Sequence, residues 1–174
     1  TIYYAFKQSE TKAGSSSSTG WETFLAAVIE AGFGLTGTWP MRTELGNRMI
    51  GSGKNALASS IVLVCRKRSD ELSAATRRDF VSALKRELPP ALADLQRGNI
   101  APVDLAQASI GPGMAIYTRY SKVLKADGSS LTVREALALI NRTLDEALVE
   151  QEGDLDADSR WSLTWFEGEG FDED

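Results

Sequence analysis

The sequence predicts an α/β chain: two parallel strands joined by a crossover helix, then one antiparallel strand, then a mainly helical extension. Three observations lead there. Residues 2–6 and 33–39 are β-branched and aromatic runs on either side of a helix-patterned stretch, which implies a parallel crossover. Residues 57–65 form a near-continuous apolar run, interrupted only by Ser59 and Ser60, as expected of a strand buried on both faces. Beyond residue 68 the apolar residues recur every three or four positions, the period of helices. The expected division is therefore residues 1–68 for the terminal part of a doubly wound sheet and residues 69–174 for the helical extension.

The first strand gives way to a polar, serine-rich loop around Ser15-Ser16-Ser17-Ser18. Thr19-Gly20-Trp21-Glu22 then has the capping-box pattern, and Trp21, Phe24, Leu25, Val28 and Ile29 form a stripe that Gly32 ends. The second strand is expected to stop at Pro40. Only a loop of about fifteen residues separates it from the third, so the third should return antiparallel, with Arg66-Lys67-Arg68 marking its exit to solvent. In the extension, Thr76-Arg77-Arg78-Asp79 resembles a capping box ahead of Phe80, Val81, Leu84 and Leu88. Pro89-Pro90 is expected to punctuate that helix before residues 91–95. A short helix should start at Pro102, and Gly111-Pro112-Gly113 should break the chain again before Ile116, Tyr117, Tyr120 and Val123. Asp127-Gly128 reads as a turn, and Thr132-Val133-Arg134-Glu135 opens a long helix carrying Ala136, Leu137, Ile140, Leu144 and Leu148. Trp161, Trp165 and Phe166 fall on one face of a last helix.

Composition excludes several chemistries. The 174 residues contain no histidine and one cysteine, Cys65, so histidine triads, histidine metal sites, disulfides and zinc clusters cannot be built from them. A reducing, cytoplasmic setting is expected, and no apolar run approaches the roughly 20 residues that span a bilayer. Charge is polarised: residues 42–97 carry eleven Lys/Arg against six Asp/Glu, and residues 143–174 one Arg against twelve acids. A polyanion would be drawn to the first stretch and repelled by the second. Gly46, Gly51 and Gly53 suggest a phosphate loop, but Arg48 replaces the required glycine and Asn55 the magnesium-binding hydroxyl.

Longer segments carry a resemblance. Ile2-Tyr3-Tyr4-Ala5-Phe6-Lys7-Gln8, Gly20-Trp21-Glu22-Thr23-Phe24-Leu25, Ala31-Gly32-Phe33, Thr38-Trp39-Pro40-Met41-Arg42-Thr43-Glu44 and Asn55-Ala56-Leu57-Ala58-Ser59-Ser60-Ile61 continuing to Arg66 occur in that order. With Ile100-Ala101-Pro102-Val103-Asp104-Leu105-Ala106-Gln107 and Ile110-Gly111-Pro112-Gly113-Met114, they resemble the C-terminal portion of the large, zinc-ribbon-containing adenine-specific DNA methyltransferases. The resemblance implies a Rossmann-like methyltransferase sheet and methyl transfer from S-adenosylmethionine to N6 of a flipped-out adenine in DNA. It also implies a setting in which such proteins occur, phage-defence loci.

The parts that perform this chemistry are not in these residues. No glycine-rich cofactor loop follows a strand, and no Asp/Asn-Pro-Pro-aromatic tetrapeptide is found; Leu88-Pro89-Pro90-Ala91 lacks both its polar head and its aromatic end. The chain is therefore expected to be a fragment, inactive alone, with no catalytic and no metal-binding residue. S-adenosylmethionine and DNA would be bound by the parent protein, and the missing N-terminal part of the same polypeptide would be its partner. No membrane contact is expected, and self-association through the edge at residues 2–6 is a hazard. Ligands of doubly wound sheets sit beyond the carboxyl ends of parallel strands, which nominates Phe6, Lys7, Trp39, Pro40 and Arg42 as substrate-binding. The resemblance assigns Trp39 to stacking on the target base. Arg48 and Lys54 are candidates for DNA phosphates. The rival reading is a non-enzymatic docking or scaffold module for a protein partner.

Overall fold

The structure, a computed structural model, describes residues 1–5, 19–41, 60–98, 100 and 104–153. Its elements are β1 (Ile2–Ala5), α1 (Thr19–Glu30), β2 (Phe33–Met41), β3 (Ser60–Lys67), β4 (Ala75–Thr76), α2 (Arg77–Arg97), α3 (Leu105–Thr118), β5 (Val123–Leu124) and α4 (Val133–Gly153). Residues 1–144 form one compact unit and residues 145–174 a second, of which residues 145–153, the end of α4, are described. Among the described residues no helix is long and apolar enough to cross a membrane.

The three-stranded sheet has the order β1-β3-β2, with β3 antiparallel to both neighbours. β1 and β2 therefore run in the same direction but do not touch; the reversed strand lies between them. The strand expected at 57–65 occupies Ser60–Lys67, and only one of its faces is closed: Ile61 and Leu63 are buried, while Val62 and Val64 are half-buried. β2 continues through Pro40 to Met41, which its place at the end of the sheet among the described residues allows, because a strand at a sheet edge has no need of every N–H.

α1 covers the closed face. Trp21, Leu25 and Val28 are buried, and the Tyr4 ring meets Trp21 and Phe24 at centroid distances of 5.0 and 4.7 Å. Gly32, at φ 85°, turns the chain from α1 into β2, a conformation that costs a residue with a Cβ about 1 kcal/mol or more.

Both proline-containing stretches remain helical. α2 passes through Pro89 and Pro90 without ending, because Leu88 and Leu92 on either side are fully buried and continue the stripe of Phe80 and Leu84. Each such side chain contributes roughly 1.5–3 kcal/mol, enough to offset the hydrogen bonds the prolines cannot make. The predicted Thr76 cap is present: its hydroxyl accepts from Asp79 N–H at 3.2 Å, and the Asp79 carboxylate accepts from Thr76 N–H at 3.2 Å.

α3 runs unbroken through Gly111-Pro112-Gly113, where a break was expected, and it begins at Leu105; Pro102 lies outside the described residues. The glycines are there for contact. A Cβ on Gly111 would stand 2.3 Å from Thr38 N and 2.8 Å from Gly37 C, and one on Gly113 would stand 2.6 Å from Ile140 Cγ2. Pro112 cannot donate to the Ala108 carbonyl four residues back. The Thr38 hydroxyl takes that place, donating to Ala108 C=O at 2.8 Å, with Gln107 C=O at 3.1 Å, and accepting from Gly111 N–H at 2.9 Å. A β2 side chain is thus built into the ladder of α3.

Arg68, expected to leave for solvent, instead closes the far end of α3. Its Nε donates to Thr118 C=O at 3.1 Å, and a terminal nitrogen donates to Tyr120 C=O. A guanidinium there satisfies carbonyls that have no helical partner and sits at the negative end of the helix dipole. The extension also contains a small parallel sheet, β4 with β5, that the helical pattern hid. α4 opens on the predicted box: Thr132 N–H donates to Glu135 Oε2 at 2.7 Å, and Glu135 N–H to Thr132 Oγ1 at 3.2 Å.

Candidate functional site

Strand alternation sorts the sheet into two unlike faces. Tyr4, paired with Ile61, points to α1. Tyr3 and Trp39 are both paired with Val62, so the three side chains form one row on the opposite face. Tyr3 is 75% exposed and Trp39 54% exposed. Val64 and Arg66 continue that face along β3.

Beside this row lies a cavity of about 510 Å³, lined by Thr36, Gly37, Thr38, Trp39, Val64 and Arg66 of the sheet, by Ala91, Asp94 and Leu95 of α2, by Gly98 and Ile100, and by Pro112 of α3. Its size falls within the range of small-molecule pockets, roughly 300–1,000 Å³. Gly37 also lines it, and a Cβ there would be in ordinary contact with Trp39 Nε1 at 3.8 Å. Its charged groups are Arg66 and Asp94. Asp94 pairs with Arg97 at 2.5 Å, whereas Arg66 has no ion-pair partner among the described residues. The site can therefore hold a planar, apolar or anionic group.

Other titratable groups are structural. Burial pushes the Cys65 thiol up, which keeps it protonated at neutral pH, and burial raises the Tyr117 hydroxyl, which donates to Leu131 C=O at 2.7 Å. A second cavity of about 310 Å³, between Arg77 of α2 and Ala138, Leu139 and Arg142 of α4, is crossed by the Lys125–Glu135 ion pair at 3.0 Å. The Glu135 carboxyl is held below its ordinary range by Thr132 N–H and by Lys125. Among the described residues there is no group of Cys, Asp and Glu able to hold a metal ion.

Of the residues nominated from the sequence, Trp39 lines the larger cavity and Pro40, its half-buried neighbour, does not. Phe6, Lys7, Arg42, Arg48 and Lys54 lie outside the described residues. Among the described residues the cavity wall facing Trp39 includes Ala91, Asp94 and Leu95 of α2; the residues that follow β1 lie outside the described residues. Sequence reasoning missed Arg66 and the α2 wall. Arg66 carried a signal, since it continues the alternation Val62, Val64 onto one face; the α2 wall was hidden by reading Pro89-Pro90 as a helix end. Compared with known proteins, the chain matches no family model, no curated protein and no solved structure.

Proposed function

We propose that this chain supplies the substrate-side strands of an S-adenosylmethionine-dependent methyltransferase acting on N6 of adenine in DNA. The cofactor loop and the Pro-Pro-aromatic tetrapeptide would come from another segment, so the 174 residues alone are inactive. The observation that carries the reading is Trp39: a large aromatic ring, half exposed, at the carboxyl end of β2 on the wall of an open cavity. Ligands of doubly wound sheets gather at that end of the strands. An enzyme that modifies a base must take it out of the stack and hold it against apolar surface, which an exposed indole does at roughly 1–3 kcal/mol per base. The sheet order supports the same reading, with a reversed last strand beside two co-directional strands joined through a helix.

The test is methyl transfer to adenine-containing DNA, comparing this chain with a longer protein that carries both missing motifs. Activity is expected from the longer protein alone, and Trp39→Ala should lower kcat/KM by roughly 5- to 150-fold, the equivalent of one lost base stack. If the longer protein folds, binds S-adenosylmethionine and methylates none of the DNAs offered, the reading is wrong.

A further inference from the structure

We infer that the open face of the sheet is a platform for unpaired nucleic acid, with Tyr3 and Trp39 stacking bases and Arg66 meeting the backbone. The inference rests on the reading above only in taking nucleic acid as the substrate. It adds a second stacking residue, a phosphate contact and a preference for single strands.

Three features of the face support it. The first is the row itself. Tyr3 and Trp39 flank Val62 from the two strands on either side of β3, so their backbones lie about 10 Å apart, twice the strand spacing. Both rings are mainly solvent-facing, at 75% and 54% exposure, although rings of this size dominate protein cores elsewhere. Two exposed aromatic rings on one face of a sheet, one strand apart, are an arrangement on which bases stack.

The second is charge. β1, β2 and β3 contain no acidic residue, and their two cations are Arg66 and Lys67. Alternation puts Arg66 on the face of the aromatic row and Lys67 on the other. Arg66 shares the 510 Å³ cavity with Trp39, and the single carboxylate there, Asp94, is already paired with Arg97. A polyanion meets a cation with no ion-pair partner among the described residues, beside one carboxylate already held by Arg97; an apolar protein segment would bury that cation, at a cost.

The third is geometry. In a duplex, bases stack about 3.4 Å apart with their faces hidden, so a ring lying on a sheet cannot reach them. An unpaired strand offers every face, and the spacing of Tyr3 and Trp39 suits bases splayed apart rather than stacked on each other.

The experiment is fluorescence anisotropy with this chain and a labelled thymidine oligonucleotide, single-stranded and then annealed to its complement. The single strand should bind more tightly than the duplex. Tyr3→Ala and Trp39→Ala should each weaken it by roughly 5- to 150-fold, with Tyr3→Phe restoring the affinity. Arg66→Gln should lower the slope of log affinity against log salt by about 0.7. All three positions are partly or largely exposed, and circular dichroism checks that the variants fold. No binding at low salt, equal binding of duplex, or variants that bind as the parent does would overturn the inference, as would a protein captured on this face in the absence of nucleic acid binding. Single-strand binding without methylation by the longer protein would remove the methyltransferase reading alone. Methylation that survives Tyr3→Ala and Arg66→Gln, without single-strand binding, would remove the platform alone.

Discussion

Thr38 and Trp39 are consecutive residues of one strand and meet opposite fates. Thr38 is 2% exposed, its hydroxyl threaded into the hydrogen-bond ladder of α3, with Gly111 lying against its backbone. Trp39, with many times the apolar surface, is left half in water, on the wall of a cavity that Thr38 also lines. Burial alone would have arranged them the other way round, since an indole gains far more from leaving water than a hydroxyl does. The Thr38 side of β2 is thus organised for the fold. The Trp39 side leaves an indole half in water, where it adds less to the fold than it would buried.

The sharpest way to break this contrast is Gly111→Ala. The new methyl would stand 2.3 Å from Thr38 N and 2.8 Å from Gly37 C, both backbone atoms that cannot swing aside. α3 would have to lift off β2. A loss of about 3 kcal/mol or more is expected in urea unfolding. Gly113→Ala, whose methyl would meet the Ile140 side chain, should cost less because a side chain can rotate. A Gly111→Ala protein as stable as the parent would mean that α3 and β2 are not packed as described.

Next is Thr38→Val, which keeps the shape and removes the hydroxyl. Gly111 N–H and Ala108 C=O then lose their partner in a buried place, and Pro112 removes the donor four residues on that a helix would otherwise offer the carbonyl. The expected cost is about 1–3 kcal/mol, and Thr38→Ser should recover most of it. Equal stability of the valine and serine variants would show that the hydroxyl has no structural part.

The same contact explains what the sequence could and could not disclose. The capping boxes at Thr76 and Thr132 and the stripe of α1 were legible because each depends on residues within a few positions of one another, and the reversal from β2 to β3 because a connection that reads as loop, with no crossover helix, leaves it the economical return. Pro89-Pro90 and Gly111-Pro112-Gly113 were misread because a breaker's cost is local while its compensation is not. Leu88 and Leu92 hold α2 straight through its prolines by burial, and the donor for Ala108 C=O comes from a residue 70 positions away. Two-residue strands such as β4 and β5 carry no periodicity at all. Trp39 was nominated as substrate-binding from its place at a strand end, and it lines a cavity; its neighbour in the same cavity, Arg66, was taken for a mere exit signal.

A smaller effect comes from the bridge between α2 and the residue that follows α3. The Arg119 guanidinium grips both oxygens of Glu87, at 3.1 and 2.6 Å, and with help from Arg86 it pulls the carboxyl down to about 2 from the ordinary 4.5. A carboxyl lowered on folding stabilises the native state above its unfolded pKa, and that stabilisation fades as pH falls through the folded value. The contribution should thus be complete above about pH 5 and gone near pH 2. Because Glu87 is 30% exposed, about 1 kcal/mol is the most it can supply. Unfolding of Arg119→Ala beside the parent should show a gap at pH 6 that closes by pH 2; a gap independent of pH would point to lost packing instead.

Trp39→Ala should have the smallest effect on stability, and that is why it sharpens the comparison most. A half-exposed ring that carries no buried hydrogen bond is expected to change unfolding by no more than about 0.5 kcal/mol, less than Thr38→Val next door, although the substitution removes far more atoms. If stability holds while affinity for an unpaired oligonucleotide falls, the indole is kept for a ligand. If Trp39→Ala instead unfolds the protein as readily as Thr38→Val does, the ring belongs to the core, and the two sides of β2 are not different in kind.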